Sequence, residues 1–78
     1  MTANDQRIVD ALQGAGIDYD SDNFSPERSF RDNGIDSLDV MGLFLAIEEK
    51  HGVKFSEQEA DAIKTPGDLS LALDRKLG

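Results

Sequence analysis

Apolar residues recur at helical spacing in three long segments of the chain, with polar and glycine-containing stretches between them. The first segment predicts a helix that begins near Thr2 or Asn4. Gly14 and Gly16 are expected to end it, because glycine readily adopts the left-handed conformation that closes a helix. The side chains expected on its buried face are Ile8, Val9, Leu12 and Ala15.

Residues 17–35 form a polar stretch that contains many Asp, Ser and Asn residues and one proline, Pro26. This composition predicts a long loop, and a loop of such length is unusual unless it is functional or is held against the core. Phe24 and Phe30 are large apolar side chains in polar surroundings. We therefore expect these two rings to fix the loop to the rest of the protein.

The second helical segment runs from about Ser37 to Lys50 and is expected to stop at His51 and Gly52. At 100° per residue, one apolar face predicts the contact with the core; it contains Val40, Leu43, Phe44, Ile47 and His51. A second apolar stripe lies about 130° around the helix and contains Leu38, Met41 and Leu45. The helix is therefore either buried on two sides, or the second stripe is an exposed docking patch.

Two further helices are predicted by their start signals. Ser56 and Glu59 have the spacing of a capping box, in which each side chain bonds the backbone of the other residue. Thr65 is expected to cap the last helix, with Pro66 at its first position and Asp68 near its positive end. The expected buried stripe of this helix contains Leu69, Ala72, Leu73 and Leu77.

Val53 and Phe55 alternate around Lys54 as they would in a strand, but the sequence offers no second strand to pair with them. We expect them to form an ordered connection that enters the core. The predicted fold class is all-α, a small bundle of three main helices plus one short helix with a long first loop. Residues 1–78 are expected to form a single domain.

Composition narrows the function further. The chain has no cysteine, which excludes disulfides and thiolate chemistry, and it has no apolar run of the roughly 20 residues that span a membrane. Residues 1–5 lack the basic and apolar regions of a secretory signal, so a cytoplasmic protein is expected. The protein is also expected to be a monomer. The net charge is −8, and residues 36–62 carry seven acids and two bases. Such a chain repels nucleic acid and anionic membranes and attracts basic protein surfaces, although acidity also serves solubility alone.

Ser37 is the candidate for covalent chemistry. A catalytic serine needs a base within hydrogen-bond reach, and the chain's one histidine, His51, lies fourteen residues further on. If Ser37 reacts, another protein must activate it. The alternative is that Ser37 or Asp36 only caps the second helix.

The segment from Gly34 to Leu38 reads Gly-Ile-Asp-Ser-Leu, and it resembles the Gly-x-Asp-Ser-Leu signature of acyl carrier proteins. Size, acidity and helix order agree with this family over almost the whole chain. The resemblance implies that a phosphopantetheinyl transferase attaches 4'-phosphopantetheine from coenzyme A to Ser37. Acyl groups would then be held on this arm as thioesters for fatty acid, polyketide or related biosynthesis. The aspartate before the serine is more typical of acyl carriers than of peptidyl carriers.

The resemblance also implies that the second helix is read by acyl-loading and acyl-processing enzymes with basic docking patches. The residues that would be recognised are Asp36, Leu38, Asp39, Met41, Gly42, Leu45, Glu48 and Glu49. Gly42 departs from the family, which commonly has a glutamate there, and this suggests specialised partners. Asn33 is a second departure, because a leucine often precedes the glycine; we expect it to weaken the apolar anchor of the loop.

A rival prediction is a protein-binding or calcium-responsive helical module. Residues 18–23 place acids at alternate positions, as the start of a calcium loop does. Asn23 and Ser29 occupy the positions where such a loop has glycine and glutamate, so no metal site is predicted. His51 is expected to be a partly buried packing or capping residue and not a metal ligand or a catalyst.

Overall fold

The computed structural model describes residues 3–78, which form four α-helices and one turn of 3-10 helix. The helices are α1 (Ala3–Gly14), α2 (Ser37–His51), α3 (Glu57–Ala62) and α4 (Pro66–Leu77), and the 3-10 turn covers Arg31–Asn33. This part of the chain contains no β-strand. The prediction of an all-α fold with three main helices and one short helix is confirmed. Of the two predicted starting points of the first helix, Asn4 lies in the first turn of α1, and Thr2 lies outside the described residues.

The helices begin and end at the local signals that the sequence carries. In α3, the backbone N–H of Glu59 donates to Oγ of Ser56 at 3.1 Å, and the N–H of Ser56 donates to Oε1 of Glu59 at 2.8 Å. Thr65 and Asp68 form the same pair of bonds at the start of α4. Gly52 closes α2 with φ of 66°, as the sequence predicted, and the last helical residue is His51 where the prediction had Lys50. The predicted capping box at Ser56 and the predicted cap at Thr65 are therefore confirmed, and Asp68 completes a second capping box that was not predicted.

The core lies between α1, α2 and α4, and α1 contacts both of the other long helices. Its fully buried apolar side chains come from these helices and from the residue before Asp36; they are Ile8, Leu12, Ile35, Leu43, Ile47, Leu69 and Leu73. Val53 and Phe55 pack against this cluster as a connection between α2 and α3. This confirms that they are not a strand.

Two predicted core residues are exposed instead. Ala15 lies just past the end of α1, so it no longer follows the helical stripe, and Ala11 is buried in its place. Leu77 lies almost a turn beyond Asp74, the residue through which α4 contacts Asn4 in the first turn of α1. Its side chain therefore extends past the contact between these helices.

The short helix α3 is held mainly by its flanks. Nζ of Lys76 lies 2.9 Å from Oε2 of Glu59 and 5.4 Å from the centre of the Phe55 ring. The backbone bond from Ser56, followed by the bond from Lys76, lowers the pKa of Glu59. Ile63, directly after the helix, is buried in the core. A cation from α4 thus joins α3 and the connection before it to the bundle.

The long loop is ordered against the core. Phe30 is buried and its ring meets Phe44 edge-on at 6.4 Å, while the half-buried Phe24 meets Tyr19 edge-on at 5.9 Å. The prediction that Phe24 and Phe30 fix the loop is confirmed. The loop also contacts α4, because the backbone N–H of Gly67 donates to the carbonyl oxygen of Pro26 at 2.8 Å.

Candidate functional site

Ser37 is the first residue of α2 and its side chain is exposed. The residue that caps the helix is Asp36, whose Oδ1 accepts the backbone N–H of Leu38 at 3.0 Å. The Ser37 hydroxyl donates a long hydrogen bond of 3.4 Å to the same oxygen and takes no part in capping. His51 is at the opposite end of the helix, about 20 Å away at 1.5 Å per residue. The serine is therefore presented to solvent beside a carboxylate that already caps the helix, and the chain's one histidine is too far away to act as its base.

A shallow surface cleft of about 320 Å³ opens beside Ser37. It is lined by Arg31, Gly34, Ile35, Asp36 and Ser37 itself. Gly34 adopts the left-handed conformation with φ of 78°, and a Cβ there would lie 3.1 Å from the backbone nitrogen of Asp20. Glycine is required at this position because the loop passes so closely over the turn.

Asn33 is fully buried and holds this turn in place, which corrects the expectation that it weakens the loop anchor. Its Oδ1 accepts the backbone N–H of Ser25 at 2.8 Å, and its Nδ2 donates to the carbonyl oxygens of Ser25, Arg28 and Ser29 at 2.8–3.2 Å. Its own carbonyl accepts the N–H of Asp20. A buried amide with all these partners ties together backbone segments that an apolar side chain could not join by hydrogen bonds.

The second apolar stripe of α2 is exposed. Leu38, Met41 and Leu45 are 82, 63 and 57% accessible to solvent. The opposite face packs in the core as predicted, with Leu43, Phe44 and Ile47 buried and Val40 and His51 half-buried. Of the two alternatives for α2, burial on both sides is wrong. An apolar patch therefore begins one residue after Ser37.

The acidic side chains around this patch differ in their exposure and in their hydrogen bonds. Asp36 caps the helix, Asp39 is half-buried and Glu49 is exposed. Glu48 is partly committed, because its Oε2 accepts the backbone N–H of Phe55 at 2.8 Å. Gly42 lies beside the patch, and a Cβ there would be in ordinary contact, 3.9 Å from Cδ1 of Ile17. The patch thus has an acidic rim interrupted by a small uncharged position.

The family model described as a phosphopantetheine attachment site matches residues 6–73, which include the exposed serine and the whole of α2. The chain belongs to the acyl carrier protein family. Acyl carrier proteins from Helicobacter pylori strains G27 and HPAG1 are each 37% identical to it over 62 residues, which is 78% of this chain and 80% of theirs. Members of this family are carrier proteins and not enzymes.

The fold agrees with that of a solved carrier. A crystal structure of an acyl carrier protein from Thermotoga maritima superimposes on this chain with a TM-score of 0.74 at 22% sequence identity. The superposition covers 96% of this chain and 92% of the Thermotoga maritima chain. The cofactor of the family is a covalently attached 4'-phosphopantetheine. The site is suited to this group because it offers an exposed hydroxyl beside an open cleft. No helix in residues 3–78 is long and apolar enough to cross a membrane.

The other candidate residues of this carrier lie apart from the serine. His51 is half-buried and its Nε2 is buried without a hydrogen-bond partner among the described residues. Burial, followed by the charges of Arg7 and Lys50, lowers the pKa of His51. In the acidic loop, the carboxylate of Asp20 accepts both the N–H and the side-chain amide of Asn23. Within residues 3–78, no three acidic or histidine side chains converge as metal ligands would.

Proposed function

We propose that this protein carries acyl groups as thioesters on a 4'-phosphopantetheine arm attached to Ser37. The observation that supports this most directly is that two adjacent residues have different roles at the start of α2. Asp36 satisfies the helix N-terminus, so the Ser37 hydroxyl is exposed and free to be modified. The arm, when attached, supplies the thiol on which acyl groups are held. Everything that the chain itself contributes is attachment, presentation and recognition.

The attachment step uses coenzyme A and a separate phosphopantetheinyl transferase. Oγ of Ser37 attacks the phosphorus nearer to pantetheine, the bond from this phosphorus to the bridging oxygen breaks, and 3',5'-ADP leaves. The hydroxyl proton goes to a base of the transferase, since His51 lies at the far end of α2. Asp36 is engaged with the N–H of Leu38 and holds the helix start while the serine reacts.

Recognition is assigned to the exposed face of α2. Leu38, Met41 and Leu45 form an apolar centre next to the serine, and the rim of carboxylates favours partner enzymes with basic patches. Such partners are the transferase and the acyl-loading and acyl-processing enzymes of fatty acid, polyketide or related biosynthesis. The rim charges are expected to raise association rates at low salt more than they raise affinity.

Gly42 is proposed to adapt this face to specialised partners. A glutamate at this position would extend the acidic rim across the patch, whereas glycine leaves a flat, uncharged notch between Met41 and Leu45. Gly42→Glu should change transfer rates with at least one partner, and Gly42→Ala is the matched control because it adds a side chain without charge. Equal rates for the wild-type protein and Gly42→Glu with every partner tested would refute this role.

The attachment site can be tested by intact-mass spectrometry. Incubation with coenzyme A and a promiscuous transferase should add the mass of one phosphopantetheine to the wild-type protein and none to Ser37→Ala. Ser21→Ala is the control, because Ser21 is an exposed loop serine outside the site. An unmodified wild-type chain, under conditions that load a reference carrier, would refute the proposed function.

The docking face can be tested with two leucines of nearly equal exposure. Leu45 lies in the α2 patch and is 57% exposed, while Leu71 lies on α4 and is 59% exposed. Leu45→Ala should lower kcat/KM for the transferase severalfold and leave the stability of the carrier nearly unchanged. Leu71→Ala should change neither. Equal kinetics for the two variants would remove α2 as the recognition surface.

A further inference from the structure

Arg31 lies in the same surface cleft as the Ser37 hydroxyl, and it is the one basic side chain among the residues that line this cleft. It belongs to the 3-10 turn that precedes the serine, and its side chain is exposed. A cation at this place is notable in a chain with sixteen acids and eight Lys and Arg residues. Because the net charge already favours solubility, a basic side chain beside Ser37 needs another explanation.

The other arginines of the first half of the chain are used inside the protein. Arg7 donates to the side-chain oxygen of Asn4, and Arg28 donates to the carbonyl oxygen of Asn23. Within residues 3–78, the guanidinium of Arg31 forms neither a hydrogen bond nor an ion pair. Its five N–H donors are therefore available to a ligand in the cleft.

The backbone that carries Arg31 is held firmly. Its carbonyl oxygen accepts the N–H of Gly34 at 2.9 Å, which closes the turn. Two residues further on, the buried amide of Asn33 bonds four backbone groups of the loop. Ile35 is fully buried and joins this turn to the start of α2. Arg31 and Ser37 are thus mounted on one rigid segment, so little order has to be gained when both contact one ligand.

We propose that Arg31 binds the phosphodiester anion that joins the arm to Ser37. This inference rests on the proposed function, because the anion is present only after Ser37 is modified. A guanidinium matches the oxygens of a phosphate group and can donate two parallel hydrogen bonds. The start of α2, where Ser37 is the first residue, would add the attraction of the positive end of a helix dipole. Asp36 and Asp32 repel the anion, and the cation of Arg31 offsets this repulsion.

The consequence is that the root of the arm is held against the 3-10 turn, while the rest of the arm remains free. The contact is exposed and electrostatic, so it is strongest at low salt and is screened as the ionic strength rises. It also gives the modified protein a property that the unmodified chain lacks, namely an ion pair between the turn and the start of α2.

Phosphorus NMR of the fully modified protein tests this contact directly. The ³¹P resonance of the wild-type protein should shift as NaCl is raised, and it should move toward the resonance of Arg31→Gln. Arg31→Gln itself should show little salt dependence, and Arg31→Lys should restore part of it. Arg75→Gln is the matched control, because it removes the same charge from an exposed position on α4 and should behave as the wild type does.

A second readout observes the arginine. The side-chain Nε–Hε resonance of Arg31 should shift when the protein is modified, and that of Arg75 should not. Identical ³¹P resonances for wild type and Arg31→Gln at low salt would overturn the inference, as would an Arg31 resonance that does not move. Modification is verified by mass beforehand, so a wild-type protein that gains no arm contradicts the proposed function instead.

Discussion

Asn33 shows how much one side chain decides in a protein of this size. Its side-chain amide forms hydrogen bonds with backbone groups of Ser25, Arg28 and Ser29. Its backbone carbonyl accepts a further hydrogen bond from the N–H of Asp20. These groups lie in a loop without helix or strand, where a buried backbone group needs some other partner. The position of the turn before Ser37 therefore depends on this residue.

Asn33→Ala should lower the free energy of unfolding by about 2–4 kcal/mol, because buried backbone groups lose their partners and a cavity remains. Urea unfolding followed by circular dichroism measures the change. Asn23→Ala is the control, since Asn23 is an exposed loop asparagine and its replacement should cost less than about 1 kcal/mol. Equal losses for the two variants would mean that the buried amide has no special role.

His51 gives the protein a pH dependence of predictable sign. Because burial and then the charges of Arg7 and Lys50 lower its pKa below 6.5, the unfolded chain binds a proton at His51 more readily than the folded protein. The contribution of His51 to stability is therefore complete above pH 6.5 and is lost as the pH falls below that value.

Comparing the wild type with His51→Gln separates the pH-dependent contribution of His51 to stability from that of the carboxylates, which both proteins share. Between about pH 7.5 and 5.5, the unfolding free energy of the wild type should fall relative to that of the variant. Urea titrations at several pH values measure this difference. If the difference between the two proteins stays constant over this range, the pKa of His51 is not lowered by folding.

Among the helices, α2 has the most demanding sequence, because it serves two surfaces. Leu43, Phe44 and Ile47 are buried in the core, while Leu38 and Leu45 remain in solvent. The exposed leucines add little to stability, so folding does not account for them, whereas the proposed recognition by partner enzymes would. The short helix α3 shows the opposite case, because its capping box and Lys76 stabilise a segment with no buried residue of its own.

Two glycines in helices predict opposite responses to alanine. A Cβ at Gly67 would lie 2.8 Å from the carbonyl oxygen of Pro26, so Gly67→Ala should separate the loop from α4 and cost about 1–3 kcal/mol. A Cβ at Gly42 meets only ordinary contact, so Gly42→Ala should stabilise α2 by up to about 1 kcal/mol.

Thermal unfolding of the two alanine variants measures both effects, and each variant serves as the control for the other. The prediction concerns the sign of each change and not only its size. A lower melting temperature for Gly42→Ala, or an unchanged one for Gly67→Ala, would show that the contacts of these helices differ from those described.

For the molecule as a whole, repulsion between like charges destabilises the folded state, which the small hydrophobic core stabilises. The net charge of −8 is spread over 78 residues, and like charges repel one another in the compact state. Added salt screens this repulsion, so the melting temperature should rise as NaCl is increased from about 0.05 to 0.5 M. Differential scanning calorimetry measures it, with the wild type at low salt as the reference. A melting temperature that falls would indicate that ion pairs such as Lys76 with Glu59 outweigh the repulsion.

The sequence alone was sufficient for the features that depend on neighbouring residues. Helix starts at Ser56 and Thr65 and the end at Gly52 rely on side chains within a few positions, and these predictions are confirmed. The core face of α2 and the aromatic anchors of the loop follow from helical periodicity and from isolated apolar residues. Ala15 and Leu77 were placed wrongly, because periodicity does not show where a helix leaves its neighbours.

Other features required the tertiary structure. The sequence offered two interpretations of Leu38, Met41 and Leu45. Only the tertiary structure, in which the opposite face of α2 is buried in the core, showed that this stripe is exposed. The buried side chain of Asn33 bonds an irregular loop, and the carboxylate of Glu48 accepts the N–H of Phe55, which lies beyond the end of α2. Neither contact follows from a helical or strand pattern.

The serine at the start of a helix was thus determined by its local motif, and its exposure next to Arg31 was decided by the fold. The physical reason is that capping and turn formation are local, with energies fixed by residues three or four positions apart. Burial and the pairing of polar groups across a loop depend on which segments meet in space, and the chain pattern alone does not specify that.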